Sequence, residues 1–174
     1  FPISGQGSHT IEWNYDDGYG NIATQFQTVV IDDISSPIPD LSLLADITDE
    51  CEINSLIPPT ATDNCATSIS VSHNATLPIN TQGTTVVTWT YDDGNGNTST
   101  QTQNVIINDV TLPVLDAASL SDLTDECQVN MPTIPTATDN CAGSINGTPS
   151  VTFPITAQGT TTVTWTFTDA NGNF

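Results

Sequence analysis

No lysine or arginine occurs anywhere in the 174 residues, whereas aspartate and glutamate number 20, so the formal charge is −20. Ordinary usage, about a quarter of residues charged and split between the two signs, would supply roughly 20 cations. The carboxylate content is near that norm, so the missing cations are what set the chain apart. Their absence excludes a basic surface for nucleic acid or for an anionic membrane. It also excludes a P-loop lysine, a Schiff-base lysine and an arginine clamp on phosphate. Every carboxylate that needs a counter-charge must find a metal ion, a backbone N–H or water. Long apolar runs are lacking too: none approaches the ~20 residues of a membrane helix, and membrane insertion is not expected. Phe1-Pro2-Ile3 is neither a start nor the charged region of a signal peptide.

What is present favours strands and turns. Thr, Ser, Asn, Asp, Gly and Pro dominate between short runs rich in Val, Ile and Trp, which predicts an all-β fold. An internal repeat organises it. Trp13, Trp89 and Trp165 are evenly spaced, and the same interval separates Pro2, Pro78 and Pro154, Cys51 and Cys127, and Cys65 and Cys141. Residues 37–98 align with 113–174 without a gap and share 34 identities in 62 positions. The organisation expected is therefore the C-terminal part of a module over 1–36, a complete module over 37–112, and a module lacking its last strand over 113–174. The chain reads as a window on a longer tandem array.

Within a module the clearest strand is Thr84–Tyr91, with Val87, Trp89 and Tyr91 on one face and Val86, Thr88 and Thr90 on the other. The equivalents Ile11, Trp13, Tyr15 and Val163, Trp165, Phe167 alternate in the same way, which predicts that the large residues are core in every copy. A Gly-rich loop, Asp92 to Asn97, leads into a final strand near Thr100 to Asn108, and the pair reads as a hairpin. Leu43 to Ile57 predicts two short strands and Ser68 to Ser72 another, and prolines exclude central pairing at Pro58, Pro59 and Pro78. Six or seven short strands in one module suggest a compact immunoglobulin-like sandwich, strung end to end with its neighbours, with a small open barrel as the alternative. Four cysteines allow three pairings. The repeat favours pairing within modules, Cys51 with Cys65 and Cys127 with Cys141. Such bridges imply an oxidising, extracellular setting.

The strings Pro59-Thr60-Ala61-Thr62-Asp63-Asn64-Cys65, Leu77-Pro78-Ile79 with Gly83-Thr84-Thr85-Val86, and Asp93-Gly94-Asn95-Gly96-Asn97 resemble the hyalin repeat (HYR) family. Pro135 to Cys141, Phe153 to Val163 and Asp169 to Asn173 match again. The resemblance implies an immunoglobulin-like adhesion module of extracellular, cell-surface proteins. The Thr/Asn/Asp-rich style is most similar to the giant repetitive adhesins of gliding bacteria exported by the type IX pathway. One departure is plain: common repeats of the family carry a further cysteine just after the Gly-Asn loop, and Thr98 to Gln103 has none.

Enzymatic chemistry is not expected. The two histidines, His9 and His73, have Thr85 and Pro149 as their counterparts one repeat on, and no spacing joins Ser, His and Asp into a nucleophilic triad. Calcium is the chemistry that fits, because Asp92, Asp93, Asn95 and Asn97 alternate acidic and amide oxygens through a Gly-rich loop. In an immunoglobulin-like topology that loop lies at the N-terminal pole, where the preceding module ends. Asp33 with Asp92 and Asp93 is thus expected to share an ion across one junction, and Asp109 with Asp169 and Asn171 across the next. Asp16 and Asp17 are the equivalents in the first copy, while Asp40, Asp46, Asp49, Glu50 and Asp63 recur one repeat on as further candidates. The function expected is a structural and adhesive stalk of disulfide-stapled, calcium-stiffened modules. Its partners are neighbouring modules of the same chain, like chains in a filament or bundle, and a surface glycan or matrix. The alternatives are a glycan- or matrix-binding module and an accessory region of a secreted hydrolase.

Overall fold

The computed structural model of the chain describes residues 2–174 and consists of strands and turns, with no helix among the described residues. None of it is therefore a helix long and apolar enough to cross a membrane. The chain groups into two compact units, each assembled from three stretches: Phe1–Ala45, Ile57–Ala75 and Val87–Gln103 in the first, Asp46–Leu56, Thr76–Val86 and Asn104–Phe174 in the second. Each unit thus combines residues from both sides of a repeat boundary.

The first copy contributes a hairpin of β1 (Gly7–Asp16) and β2 (Ile22–Ile31), in register from Gly7↔Ile31 to Asp16↔Ile22. In the central repeat, β3 (Ile38–Pro39) pairs with β5 (Ala61–Thr62). A four-stranded sheet completes that repeat: β4 (Ile47–Asp49), β8 (Thr98–Ile107), β7 (Gly83–Asp92) and β6 (Ser70–His73) lie side by side in that order. The β4–β8 pair is parallel, Ile47↔Val105 to Asp49↔Ile107, and the β6–β7 pair is antiparallel. The last repeat forms β9 (Val114–Leu115), β10 (Thr136–Asp139) and β11 (Gly143–Asn146) as one sheet, with β12 (Thr148–Pro149) against β13 (Trp165–Thr166). The architecture is all-β, two tandem copies of one sandwich repeat following the hairpin.

The core follows the period-two alternation. Val87, Trp89 and Tyr91 on β7 and Val105 and Ile107 on β8 are fully buried, and Leu44 and Ile79 are buried with them. Burial of the two aromatics is accompanied by partners for their polar tips, as buried N–H and O–H groups require. Trp89 Nε1 donates to Gln103 Oε1 at 2.9 Å and Tyr91 OH to Gln101 Oε1 at 2.8 Å. Both glutamines then donate onward, to the carbonyls of Ala45 and Leu41, so the segment covering the core is tied to its aromatics.

The first copy departs from the alternation rule, whereas in the last copy Val163, Trp165 and Phe167 are half-buried and alternate with exposed Thr162, Thr164 and Thr166. Trp13 and Tyr15 bond Gln27 and Gln25 as their counterparts do, yet they are 49% and 55% exposed. Strands β1 and β2 pair only with each other, and most residues of both strands are exposed. In the last repeat the strand expected over Val163–Phe167 shrinks to β13, because its sheet partner is the two-residue β12 rather than a long hairpin arm. Leu43 to Ile57 yields one strand, β4, and an isolated bridge, Ile53↔Ile79, where two strands were expected.

Candidate metal centres

Each unit contains one cluster of three aspartates. Asp33, Asp63 and Asp93 form the first and Asp109, Asp139 and Asp169 the second, and in each the facing carboxylate oxygens lie within 4.8 Å of one another. Each member of the second cluster stands one repeat after its counterpart in the first, so a single arrangement occurs twice. In both, the first aspartate comes from the end of one repeat and the other two come from the repeat that follows.

Three local devices build the site. Asp33 and Asp109 stand just beyond the ends of β2 and β8; their N–H groups donate to Gln6 and Gln82 Oε1 at 2.9 and 3.0 Å. Their Oδ1 atoms accept from Ser35 and Thr111 N–H. Asp63 and Asp139 close the Pro-Thr-Ala-Thr-Asp string with an Asx turn. Asp63 Oδ1 accepts from Cys65 and Ala66 N–H at 2.8 and 2.9 Å, and Asp139 Oδ1 from Cys141 and Ala142 N–H at 2.9 and 2.7 Å. Asp93 and Asp169 start the Gly-rich loop. Gly94 and Gly96 take φ of 79° and 106°, which curls the chain until Asn95 and Asn97 N–H converge on Asp93 Oδ1 at 2.8 and 3.0 Å. Asn97 Nδ2 reaches Asp93 Oδ2 at 2.8 Å, and Asn171 and Asn173 repeat these bonds around Asp169.

The electrostatics favour charged groups in a dry place. Asp33, Asp93, Asp109, Asp139 and Asp169 are all buried. Burial acts to raise the carboxyl of Asp93 and is the largest single influence on it. The Asn97 side chain and the N–H groups of Asn95, Asn97 and Gly96 together outweigh it and hold the group below the ordinary carboxylate range. Asp169 is lowered by the same balance. The third aspartate of each cluster leaves an oxygen without a partner: Asp63 Oδ2 and Asp139 Oδ2 are buried and accept no hydrogen bond, although Asp139 is only 4% exposed. A buried anionic oxygen with no donor is costly. Three carboxylates around it, without a lysine or arginine in the chain, offer the donor set of a hard divalent cation.

Of the residues singled out in the sequence, Asp33, Asp93, Asp109 and Asp169 are brought together. Asn95 and Asn171 stand at the rim and turn Nδ2, not oxygen, toward the cluster, donating to Asp33 and Asp109 Oδ2 at 2.9 and 2.8 Å. Asp92 is not a member: it is exposed and accepts Gly94 N–H in its own turn. Asp16 does the same with Gly18, and Asp17, held below its usual range by Asn21 and Tyr19, belongs to neither cluster. The place expected for Asp92 is taken by Asp63, and in the second cluster the third carboxylate is that of Asp139 where Asn171 was expected. Glu50, another recurring acid, lies beside Asp109 and accepts from Thr111 Oγ1 at 2.6 Å and Asn140 Nδ2 at 2.7 Å.

The cysteines do not pair as expected. Cys51 is bonded to Cys141, with Cα atoms 5.0 Å apart and a sequence separation of 90, while Cys65 and Cys127 are free and exposed. The reason lies in the two units. Cys51 follows β4, whose Asp49 carbonyl accepts Asn108 N–H beside Asp109, so it shares a unit with Asp139 and Cys141. Cys65 follows Asp63 and belongs to the other. The bridge therefore joins successive repeats instead of closing one.

A family model described as an HYR-like domain with 4 cysteines matches residues 34–107 and 110–174. Hyalin of Lytechinus variegatus is 33% identical over 196 aligned residues, covering 99% of this chain and 35% of that protein. Hyalin of Strongylocentrotus purpuratus is 32% identical over 185, covering 94% of this chain and 15% of that protein. The chain thus spans about a third of one curated relative and about a seventh of the other. Both are sea-urchin proteins, and neither lends support to the affinity with bacterial gliding adhesins. No solved structure matches.

Proposed function

The chain belongs to the HYR-like domains with 4 cysteines, and from this premise we propose that it is an extracellular adhesive stalk segment whose successive repeats are locked together by calcium. The observation that carries the reading is the paired cluster, Asp33/Asp63/Asp93 and Asp109/Asp139/Asp169, each drawing its carboxylates from two neighbouring repeats. A cation held by all three would couple the end of one repeat to the loops of the next. It would also satisfy the orphan oxygens of Asp63 and Asp139. Calcium is favoured over magnesium because its coordination is flexible and accepts carboxylates at irregular angles. Affinities of about 10⁻⁴ to 10⁻³ M are usual for extracellular modules. The disulfide supports an oxidising location outside the cell.

Thermal unfolding of the whole chain with and without calcium tests this reading. At about 10 mM calcium, about ten to a hundred times such a dissociation constant, each site adds about 1.4–2.7 kcal/mol. For a chain of this size that is a rise in Tm of about 3–11 °C per site. An unchanged Tm between EDTA and calcium at that concentration refutes it. Recognition of glycan or matrix is a second reading, favoured by Tyr19, which projects from the β1–β2 turn at 93% exposure. A Tyr19→Ala variant that keeps full binding to a glycan or matrix preparation would remove that support.

A further inference from the structure

The bridge between Cys51 and Cys141 has a consequence for the two cysteines left free. Cys127 stands one repeat after Cys51, and Cys65 stands one repeat before Cys141, so each free thiol occupies a position whose counterpart is bonded. We infer that the bridge is one rung of a ladder along the array. Cys127 bonds the second cysteine of an HYR-like repeat that follows, and Cys65 the first cysteine of one that precedes, each rung spanning the same sequence separation as the first.

The local frames support this rung by rung. Cys51 N–H donates to Asp49 Oδ1 at 3.1 Å, and Cys127 N–H to Asp125 Oδ1 at 3.3 Å. The carbonyls before them, of Glu50 and Glu126, accept from Gln82 and Gln158 Nε2 at 3.1 and 3.4 Å. Just beyond, the isolated bridges Ile53↔Ile79 and Val129↔Ile155 fix the same chain direction. On the receiving side, Cys65 and Cys141 sit in matching Asx turns on Asp63 and Asp139. The docking of one repeat on the next is also duplicated, since Asp33 meets Asp63 and Asp93 as Asp109 meets Asp139 and Asp169. A preceding repeat docked in that way brings its first cysteine to Cys65. Both free thiols are exposed, whereas the bonded pair is half-buried, as partner and bond together cover them.

Formation of each rung is a thiol–disulfide exchange with a small disulfide oxidant such as oxidised glutathione. One cysteine thiolate attacks the oxidant and releases one glutathione thiolate, and the second cysteine thiolate displaces the other. The protein loses two protons and two electrons, and two glutathione thiols are formed. The inference rests on the reading of the chain as part of a tandem array and stands without calcium, so its test is run in EDTA.

The test fuses residues 1–152, two full periods of the repeat, directly to a second whole chain, which continues the repeat phase without a break. The fusion has eight cysteines and is oxidised in a glutathione buffer. Peptides are generated with an Asp-specific protease, since trypsin has no site. The ladder predicts bridges of Cys51 with Cys141 in each copy and of Cys127 in the first copy with Cys65 in the second. Two free thiols then remain. Cys127→Ser in the first copy raises the count from two to three and exposes the second copy's Cys65 to alkylation. Four free thiols in the unmutated fusion, or any bridge of Cys51 with Cys65 or Cys127 with Cys141, overturns the ladder. The single chain provides a measurement that does not depend on how the fusion folds. It predicts alkylation of Cys65 and Cys127 only, and three free thiols in Cys51→Ser. A single free thiol in that variant, from Cys141 re-pairing with Cys127, overturns it too.

Discussion

Replacing Asp139 by Asn separates the two roles its carboxylate plays. Without a cation, Asp139 repels Asp109 and Asp169 across at most 4.8 Å between facing oxygens. At that distance each unit-charge pair costs about 0.9 kcal/mol in a dielectric of about 80 and about 3.5 kcal/mol at about 20. Relief of two pairs is therefore about 2–7 kcal/mol. The substitution is nearly isosteric and keeps Oδ1, so the turn bonds from Cys141 and Ala142 N–H survive. The new amide donates where Oδ2 had no partner. In EDTA, Asp139→Asn is thus expected to raise Tm by at least about 4 °C, using about 2–4 °C per kcal/mol for this size. In calcium the variant's advantage narrows by about 1.4–2.7 kcal/mol, the amount the cation adds to the intact site, because a ligand has been removed, and the total calcium-dependent rise falls by about half, leaving the Asp33 cluster to respond. Differential scanning calorimetry on wild type and variant, each in EDTA and in calcium, gives all four values. A variant less stable than wild type in EDTA, or one with an undiminished calcium response, would refute the reasoning.

The pH dependence, the disulfide and the core each carry a prediction of their own. Asp93 and Asp169 have depressed folded-state carboxyls, so their contribution is complete above the unfolded value of about 3.9 and is lost as pH falls through their lower folded values. Urea midpoints measured in EDTA should therefore drop most steeply below about pH 4, and less so in Asp93→Asn; a flat profile there contradicts the assignment. Cys51→Ser removes a link with a sequence separation of 90, for which the chain-entropy model gives about 4.6 kcal/mol, and chemical denaturation in calcium-free buffer should show a loss of that order. Trp89→Ala should cost about 3–5 kcal/mol by the same measurement, whereas Trp13→Ala, at a half-exposed position, should cost under about 1.5 kcal/mol; equal losses would contradict the burial pattern.

Much of the fold is legible in the sequence because the repeat supplies two or three copies of every local signal. The alternation Val87, Trp89, Tyr91 locates the buried face of β7, and Asp92 to Asn97 marks the hairpin turn, since both depend on near neighbours. Asp33 and Asp109 connect to the loop aspartates through the ends of an immunoglobulin-like module that must meet in a tandem array. Asp63 and Asp139 stand out in sequence only as recurring acids. Their entry into the clusters depends on how the Pro-Thr-Ala-Thr-Asp turn is carried against the hairpin loop, a long-range placement that local pattern does not encode. Asp92 misleads because adjacent residues at a strand end point to opposite sides, so only one of the Asp92–Asp93 pair faces inward. The disulfide misleads for a related reason. Spacing in sequence makes Cys51 and Cys65 look like partners, whereas each cysteine lies in a unit assembled with a different neighbouring repeat. Trp13 carries the same pattern as Trp89 yet is half-exposed, because burial depends on what packs over the face, which periodicity does not report.

Diffraction from crystals grown in millimolar calcium tests the central claim most directly. The account predicts one strong peak in each cluster, about 2.3–2.6 Å from oxygens of Asp33, Asp63 and Asp93 and of Asp109, Asp139 and Asp169. Water at a hydrogen-bonding distance of about 2.8 Å in both places, with no heavier density, would contradict it.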